Sequence, residues 1–478
     1  MTANYMTVDA DSFRSFELQQ SLFDIRINDV PIWERIRFKI WREIKQQHGT
    51  GQAHTSVDKT LQDYVTGGLL FAKNLVHRNP FFAEESDIAF FGHQRRKKEA
   101  DGFWWDIYCD PIHNECEYEH VHFESDYLLN HLTPAKTEDL RYLDLITYGN
   151  TIQKLLGIND VSIPESDRHH LRELEAEFSR EFNADIDLVA RVEQKLAHRK
   201  RTLPLYRRLL NKVSPNLVVV VVGYGSENLI EACGELDIPV TELQHGVIYE
   251  DHFGYSYPGS RTKETFPDYL LVWGEFWKDA IETPLSDDRV IPVGYPYLEQ
   301  TKQQYENVEP DNQILFISQG TIGAELSQFA LEVAQHPDID YEVRYKLHPG
   351  EYDRWESEYP WLVNAEAPIT IIDGSEPPLY ELFAESNVQI GVGSTAVYEG
   401  LLFGLETYVY DCEGSTVLQP LIYEGSAELI STTDELVDSL GSGASAFNKE
   451  YYFEQHATQT MCQVLSRLEA EGTTYYNK

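Results

Sequence analysis

The histidines that close strand-like apolar runs are the residues of this sequence best placed to do chemistry. Thr241-Glu-Leu-Gln-His245-Gly246 ends one such run. Imidazole titrates near neutrality and suits general-base work, and the following glycine lets backbone approach a ligand closely. The plainer reading of His245 is a loop histidine bonded to a carbonyl. Lys346-Leu-His348-Pro349-Gly350-Glu351 ends a second run. Proline holds the residue before it extended, which turns His348 out of the strand end, where a hydrogen-bond donor suits a phosphate and Lys346 adds charge. A third run passes into Gly393-Ser394-Thr395, two hydroxyls at the start of a helix, where free N–H groups and the helix dipole favour an anion. Glu399, one turn deeper on the same face, is placed to accept ribose hydroxyls. Gln319-Gly320-Thr321 follows a fourth run and adds a further loop able to wrap phosphate.

Other patterns carry less. Gly223-Tyr224-Gly225 after an apolar strand nearly matches a dinucleotide fingerprint, but Asn228 stands where the third glycine belongs and Glu242 lies inside the next strand, not at its end. NAD is therefore not expected. The five cysteines show no zinc spacing. The acidic strings Asp9–Asp11, Asp185–Asp187 and Asp338–Asp340 read as chance in an acidic chain, so no obligatory metal is expected.

The elements that must position these residues are βα units. Strands are predicted at Asp87–Gly92, Phe103–Tyr108, Leu217–Val222, Pro239–Leu243, Tyr269–Val272, Arg289–Pro292, Ile314–Ser318, Tyr341–Leu347, Ile369–Ile372, Val388–Val392 and Thr407–Tyr410, with helices between most of them. Before them, a short strand over Leu22–Ile27 leads into a helix opened by Pro31, with Trp33, Ile36, Ile40 and Ile44 on one face. The fold class is α/β, with two Rossmann-like domains facing across a cleft that is the default ligand site. The divisions are an N-terminal strand and helix extension over 1–85, a first Rossmann-like domain over 86–300, a second over 301–447, and a C-terminal helix over 448–478 that packs back across both.

Composition narrows the function. Asp and Glu number 79 against 39 Lys and Arg, a formal charge of −40. Broad nucleic-acid binding is excluded, because phosphate neutralisation needs a basic footprint. The acid excess is spread along the chain, as in proteins that work in molar salt. Basic residues cluster at Arg35–Lys45, Arg95–Lys98 and Arg199–Lys212, either to meet an anionic acceptor or a membrane surface or, more simply, to pair with the acidic bulk. The longest apolar run, Leu217 to Val222, is strand-sized, and the first residues lack a basic and an apolar segment, so neither a membrane span nor a signal peptide is expected. Few cysteines, odd in number, fit a reduced cytoplasm, with any membrane met at its cytoplasmic face.

Together the motifs resemble those of GT-B glycosyltransferases of the capsule and surface-polysaccharide type. They are similar in layout to bacterial polysialyltransferases, Kdo transferases and the CDP-glycerol glycerophosphotransferases of teichoic acid synthesis. The resemblance is carried by QHG at Gln244–Gly246, KLHPGE at Lys346–Glu351 and GSTAVYEG at Gly393–Gly400, and more loosely by FDIRINDVPIWERIRF and by WWDIYCDPI at Trp104–Ile112. It implies a nucleotide-sugar donor whose phosphates meet His348, Ser394 and Thr395, and whose ribose meets Glu399, with Lys346 and the Gln319-Gly320-Thr321 loop beside them. The acceptor is a glycan or a lipid-linked group. His245, or a carboxylate such as Asp106 or Glu227, takes its proton in a direct displacement with inversion, without metal or cofactor. The chain departs from the pattern where Gly393-Ser394-Thr395 replaces a serine pair and Gln244 replaces a tryptophan, which leaves donor sugar and base open. The alternatives are a nucleotide-sugar 2-epimerase of the same fold, a CDP-polyol phosphotransferase, and a non-catalytic partner in glycan assembly.

Overall fold

Short runs of branched and aromatic residues closed by polar turns form the sheets of this protein. Leu217–Val220 is wholly buried, as a parallel strand covered on both faces must be. The computed structural model describes residues 9–48, 61–94, 96–158, 160–257, 259, 261, 263–441 and 448–476. The chain divides into two compact units, one formed up to Pro296 and again from Phe453, the other by Tyr297–Tyr452.

The first unit carries seven parallel strands, β1 (Ile88–Phe91), β2 (His120–Glu124), β3 (Leu140–Tyr142), β4 (Leu217–Val220), β5 (Val240–Leu243), β6 (Tyr269–Val272) and β7 (Val290–Pro292), in the order β7-β6-β5-β4-β1-β2-β3. The second carries six, β8 (Gln313–Ile317), β9 (Glu342–Lys346), β10 (Ile369–Ile372), β11 (Val388–Gly391), β12 (Glu406–Tyr410) and β13 (Glu428–Ile430), in the order β10-β9-β8-β11-β12-β13, again all parallel. Each unit is thus a Rossmann-like α/β layer structure, the fold class expected.

Three strands escape the sequence reading. β2 reads His-Val-His-Phe-Glu and puts His122 and Glu124 at buried positions, which disguises it, while β3 and β13 are only three residues long. Two predicted strands shrink. Leu22–Ile27 becomes a 3-10 turn over Leu22–Asp24 and a two-residue ribbon strand paired with Val30–Pro31. Phe103–Tyr108 contributes only Trp104–Trp105, paired with Lys97–Lys98, because the Asp106 carboxylate accepts the Tyr108 and Cys109 N–H groups and bends the chain into a helical turn at Asp110–His113.

The stretch before residue 85 shares the first unit. Its helix Trp33–Gln47 buries Trp33, Ile36, Ile40 and Ile44, together with Phe13 and Phe16 of the helix Ala10–Gln19, Phe178 and Phe182 of Glu165–Phe182, and Phe253. The acidic strings have structural work there: Asp9 and Asp187 are N-caps, accepting from the backbone N–H of Ser12 and Ala190. The helix Ala457–Tyr476 lays Met461, Leu465 and Leu468 against the side chains of β1 and β4. Cys116 and Cys462 form a disulfide there. A cysteine count that fitted a reduced compartment therefore includes a bonded pair, invisible from spacing because its members lie 346 residues apart.

Several arginines of the basic clusters pair with acids. Arg35 and Arg199 share Glu231, Arg37 pairs with Glu17, Arg96 with Glu124 and Asp110, and Arg207 with Glu235. Arg95 lies outside the described residues.

Candidate functional site

Numbered within its own unit, each sheet runs 3-2-1-4-5-6, and the first adds a seventh strand. The direction of winding reverses between β1 and β4 and again between β8 and β11, so the loops at the carboxyl ends diverge there and open a crevice. The motif residues lie at the carboxyl ends of these and neighbouring strands. In the first unit they are Gly223–Gly225 after β4 and Gln244–Gly246 after β5, and His93, outside any motif, follows β1. In the second they are Ser318–Thr321 after β8, Lys346–Glu351 at the end of β9 and Gly393–Thr395 after β11.

In the first unit His245 is held at both ring nitrogens. Tyr255 Oη lies 3.1 Å from Nδ1 and Tyr224 Oη 3.2 Å from Nε2. The Tyr255 hydroxyl donates to Glu242 Oε1 at 2.6 Å, so its oxygen is left to accept, and Nδ1 carries the proton. Nε2 is then the basic nitrogen, receiving the Tyr224 hydroxyl. Burial, followed by His93 and His252, pushes the His245 pKa down to about 3, so the ring is neutral. Burial also pushes Glu242 up to about 7, against the opposing effects of the Tyr255 hydroxyl, the Gly223 backbone N–H and Lys263. Gly223 makes room for this carboxylate: a Cβ there would sit 2.2 Å from Glu242 Oε2. The near-miss dinucleotide turn is therefore a cradle for Glu242.

Backbone and aromatic contacts fix the rest. Tyr108 donates to the His245 carbonyl at 2.8 Å. The Gln244 amide donates to the Gly246 carbonyl and accepts the Trp273 N–H, both at 2.8 Å, which gives glutamine its purpose at this position. Phe38, from the helix Trp33–Gln47, packs on Tyr224 and stacks on His252 at ring distances of 4.7 and 5.1 Å. The sequence reading found His245 but not Tyr224, Tyr255 or His93. The only available signal was a carboxylate inside an apolar strand opposite a glycine turn.

Asp106 and Glu227 have other partners. Asp106 is fully buried and accepts the His93, Tyr108 and Cys109 N–H groups, so it shapes the loop that carries His93 without touching His245. Glu227 is ion-paired with Lys195 at 3.0 Å, and the structure does not bring it to His245. Among the described residues, Asp106, Cys109 and His122 form the one cluster with metal-ligand atoms within 4.8 Å of one another. Burial raises the Cys109 thiol pKa well above its ordinary value and lowers that of His122.

In the second unit Glu351, wholly buried, organises the loop after β9. It accepts the His348 N–H at 2.7 Å, the Tyr359 hydroxyl at 2.6 Å and the Ser318 hydroxyl at 3.1 Å. His348 is exposed, and its Nδ1 accepts the Gly350 N–H at 3.1 Å, which leaves Nε2 as the protonated nitrogen. Lys346 donates to Tyr352 Oη and the Gly374 carbonyl, and burial pushes its pKa down to about 8. Ser394 is the N-cap of the helix Thr395–Phe403, accepting from Ala396 N–H. Glu399 lies within that helix, half-buried. A Cβ on Gly393 would meet the Gly414 carbonyl at 2.8 Å and would lie 3.6 Å from Gln319 Oε1, so the loops after β8 and β11 adjoin. Gly320 and Thr321 lie on the same β8 loop, Thr321 exposed.

No protein-family model matches the sequence, and no curated protein does. Among solved structures the chain is similar to UDP-GlcNAc 2-epimerase from Neisseria meningitidis bound to UDP-GlcNAc, at 13% identity over 80% of this chain and 99% of that one, with a TM-score of 0.47. It is similar to the wall teichoic acid polymerase TagF, at 10% identity over 87% of this chain and 100% of the other, TM-score 0.41. MurG from Acinetobacter baumannii shares 11% identity over 80% of this chain and 99% of its own, TM-score 0.42.

Proposed function

We propose that this protein is a glycosyltransferase of GT-B type, moving a sugar from a nucleotide-activated donor to a glycan or lipid-linked acceptor in surface polysaccharide or glycoprotein-glycan assembly. One observation carries the reading. At the carboxyl ends of its parallel strands the second unit offers phosphate-type donors, and at the carboxyl end of β5 the first offers a histidine whose basic nitrogen is fixed through Tyr255 by a buried carboxylate.

The donor phosphates would meet His348 Nε2–H, the Ser394 and Thr395 hydroxyls and the N–H groups that open the helix Thr395–Phe403. Lys346 and the Gln319-Gly320-Thr321 loop flank them, and Glu399 accepts ribose hydroxyls. His245 Nε2 takes the acceptor hydroxyl proton. The acceptor oxygen forms its bond to the anomeric carbon as the bond to the leaving phosphate breaks, the electron pair staying on the phosphate oxygen, so configuration inverts. Burial disfavours the imidazolium, so the step depends on the ionised Glu242 that steadies it through Tyr255 and Nδ1–H, the logic of a triad with a tyrosine interposed, while the leaving charge is met by donors already in place. The scheme uses no metal and no cofactor.

Because the relay needs Glu242 ionised, kcat/KM is expected to rise with pH through about 7, the value to which burial pushes that carboxyl. The groups facing Glu242 are Tyr255, the Gly223 N–H and Lys263, with His245 one bond beyond. Glu242→Gln should remove this limb and lower the plateau by about ten- to a hundredfold. A limb that survives in Glu242→Gln assigns the titration elsewhere.

Donor binding is tested by thermal shift in high-potassium buffer against CMP, CDP, UDP, GDP and NAD. One nucleotide is expected to raise the melting temperature by a few degrees at saturation, through stabilisation of about 2–3 kcal/mol, and His348→Ala should abolish the rise. No shift with any nucleotide overturns the reading. Product analysis then separates a transferase, which releases nucleotide and extends an acceptor, from an epimerase, which interconverts free nucleotide sugars.

A further inference from the structure

We propose that the first unit docks on an anionic lipid bilayer through the helix Leu61–Asn74 and the helix Asp144–Leu155 with its tail to Ile158. Val65, Leu69, Val76, Leu128, Leu155 and Leu156 are between 57% and 81% exposed, an unusual gathering of large apolar side chains on a soluble surface. The segments that carry them adjoin. Phe71 and Tyr148 join the two helices at a ring distance of 5.6 Å, and Gly67 lies against Leu129, whose Cβ would be 3.5 Å from a Cβ placed there.

The charge of this face is opposite to that of the chain. Residues 61–78 and 144–158 hold two acids, Asp63 and the buried Asp144, which pairs with His131, where the whole sequence has 79 in 478 residues, and they carry Lys73, Arg78 and Lys154, both lysines exposed. Of the acids beside the face, Asp126 accepts the Leu129 N–H and Asp160 pairs with Arg201. A chain of net charge −40 is repelled by anionic headgroups, so contact requires an acid-poor, cationic and apolar face. This one is the match, whereas Arg35, Arg37, Arg96 and Arg199 of the basic clusters apparent in the sequence face their own acids. No helix among the described residues is long and apolar enough to cross a membrane, so the contact is interfacial, with apolar side chains at the acyl boundary and lysines among the headgroups. The inference does not depend on the reaction catalysed.

Vesicle flotation of the full chain at low salt tests it. Phosphatidylcholine vesicles containing phosphatidylglycerol should carry the protein, and pure phosphatidylcholine should not. The double substitutions Leu155→Glu with Leu156→Glu, and Lys73→Glu with Lys154→Glu, should each lower binding by about tenfold or more, with His245→Asn unchanged as control. On the unaltered chain, the same vesicles should protect residues 65–78 and 145–158 from hydrogen exchange, a reading that needs no variant to fold. Absence of flotation, flotation indifferent to these substitutions, or exchange protection elsewhere overturns the proposal. So does a self-associating chain that Leu155→Glu turns monomeric and that never floats, which would assign the face to a protein partner.

Discussion

His245→Asn is expected to cut sugar transfer by about two to four orders of magnitude, the usual contribution of a positioned general base, while the nucleotide-induced thermal shift stays as in the parent. Asparagine removes the nitrogen lone pair but leaves the Tyr255–Glu242 hydrogen bond of 2.6 Å in place, so the loop keeps its anchor and the loss reports chemistry. Tyr255→Phe should fall between the two, since it breaks the relay but spares the base. Steady-state kinetics checks both: kcat should fall with little change in donor KM. An enzyme indifferent to His245→Asn would move the assignment to a non-catalytic role in glycan assembly.

Arg37→Ala is expected to destabilise the first unit by about 3–5 kcal/mol. Arg37 is 1% exposed; it donates to Glu17 through Nε at 2.5 Å and Nη2 at 2.9 Å, and through Nη1 to the Ser256 and Phe253 carbonyls at 2.5 and 3.2 Å. Removing the guanidinium leaves the buried Glu17 carboxylate, which still accepts the Trp33 indole N–H at 2.6 Å, without its counter-charge and takes a donor from two carbonyls, a cost far above that of an exposed pair. Denaturant titration of the pure protein reads the loss directly, and Glu17→Gln in the same background should recover part of it. The substitution also loosens the segment that carries Tyr255, so transfer should weaken at temperatures where the chain is still folded. A variant with unchanged midpoint would mean that solvent reaches Glu17.

The elements whose information is local were legible from the sequence. A run such as Leu217–Val222 has one stable fate, a strand buried on both faces, and the helix with Trp33, Ile36, Ile40 and Ile44 on one side buries that side. β2 was not legible, because His122 and Glu124 look like surface residues until Arg96 and His113 are seen beside them.

The sequence by itself determined the α/β class, the strand-end positions of His245 and His348, and the helix start at Ser394-Thr395, because periodicity, glycine and proline act on neighbouring residues. Only the tertiary structure decided that Glu242 faces Tyr255 and His245 through the space Gly223 leaves, that Arg37 reaches the carbonyls of Phe253 and Ser256 across 216 and 219 positions, and that Cys462 meets Cys116. Which distant groups meet is set by strand order and crossover, and that order depends on the packing of the whole unit rather than on any stretch of residues within it.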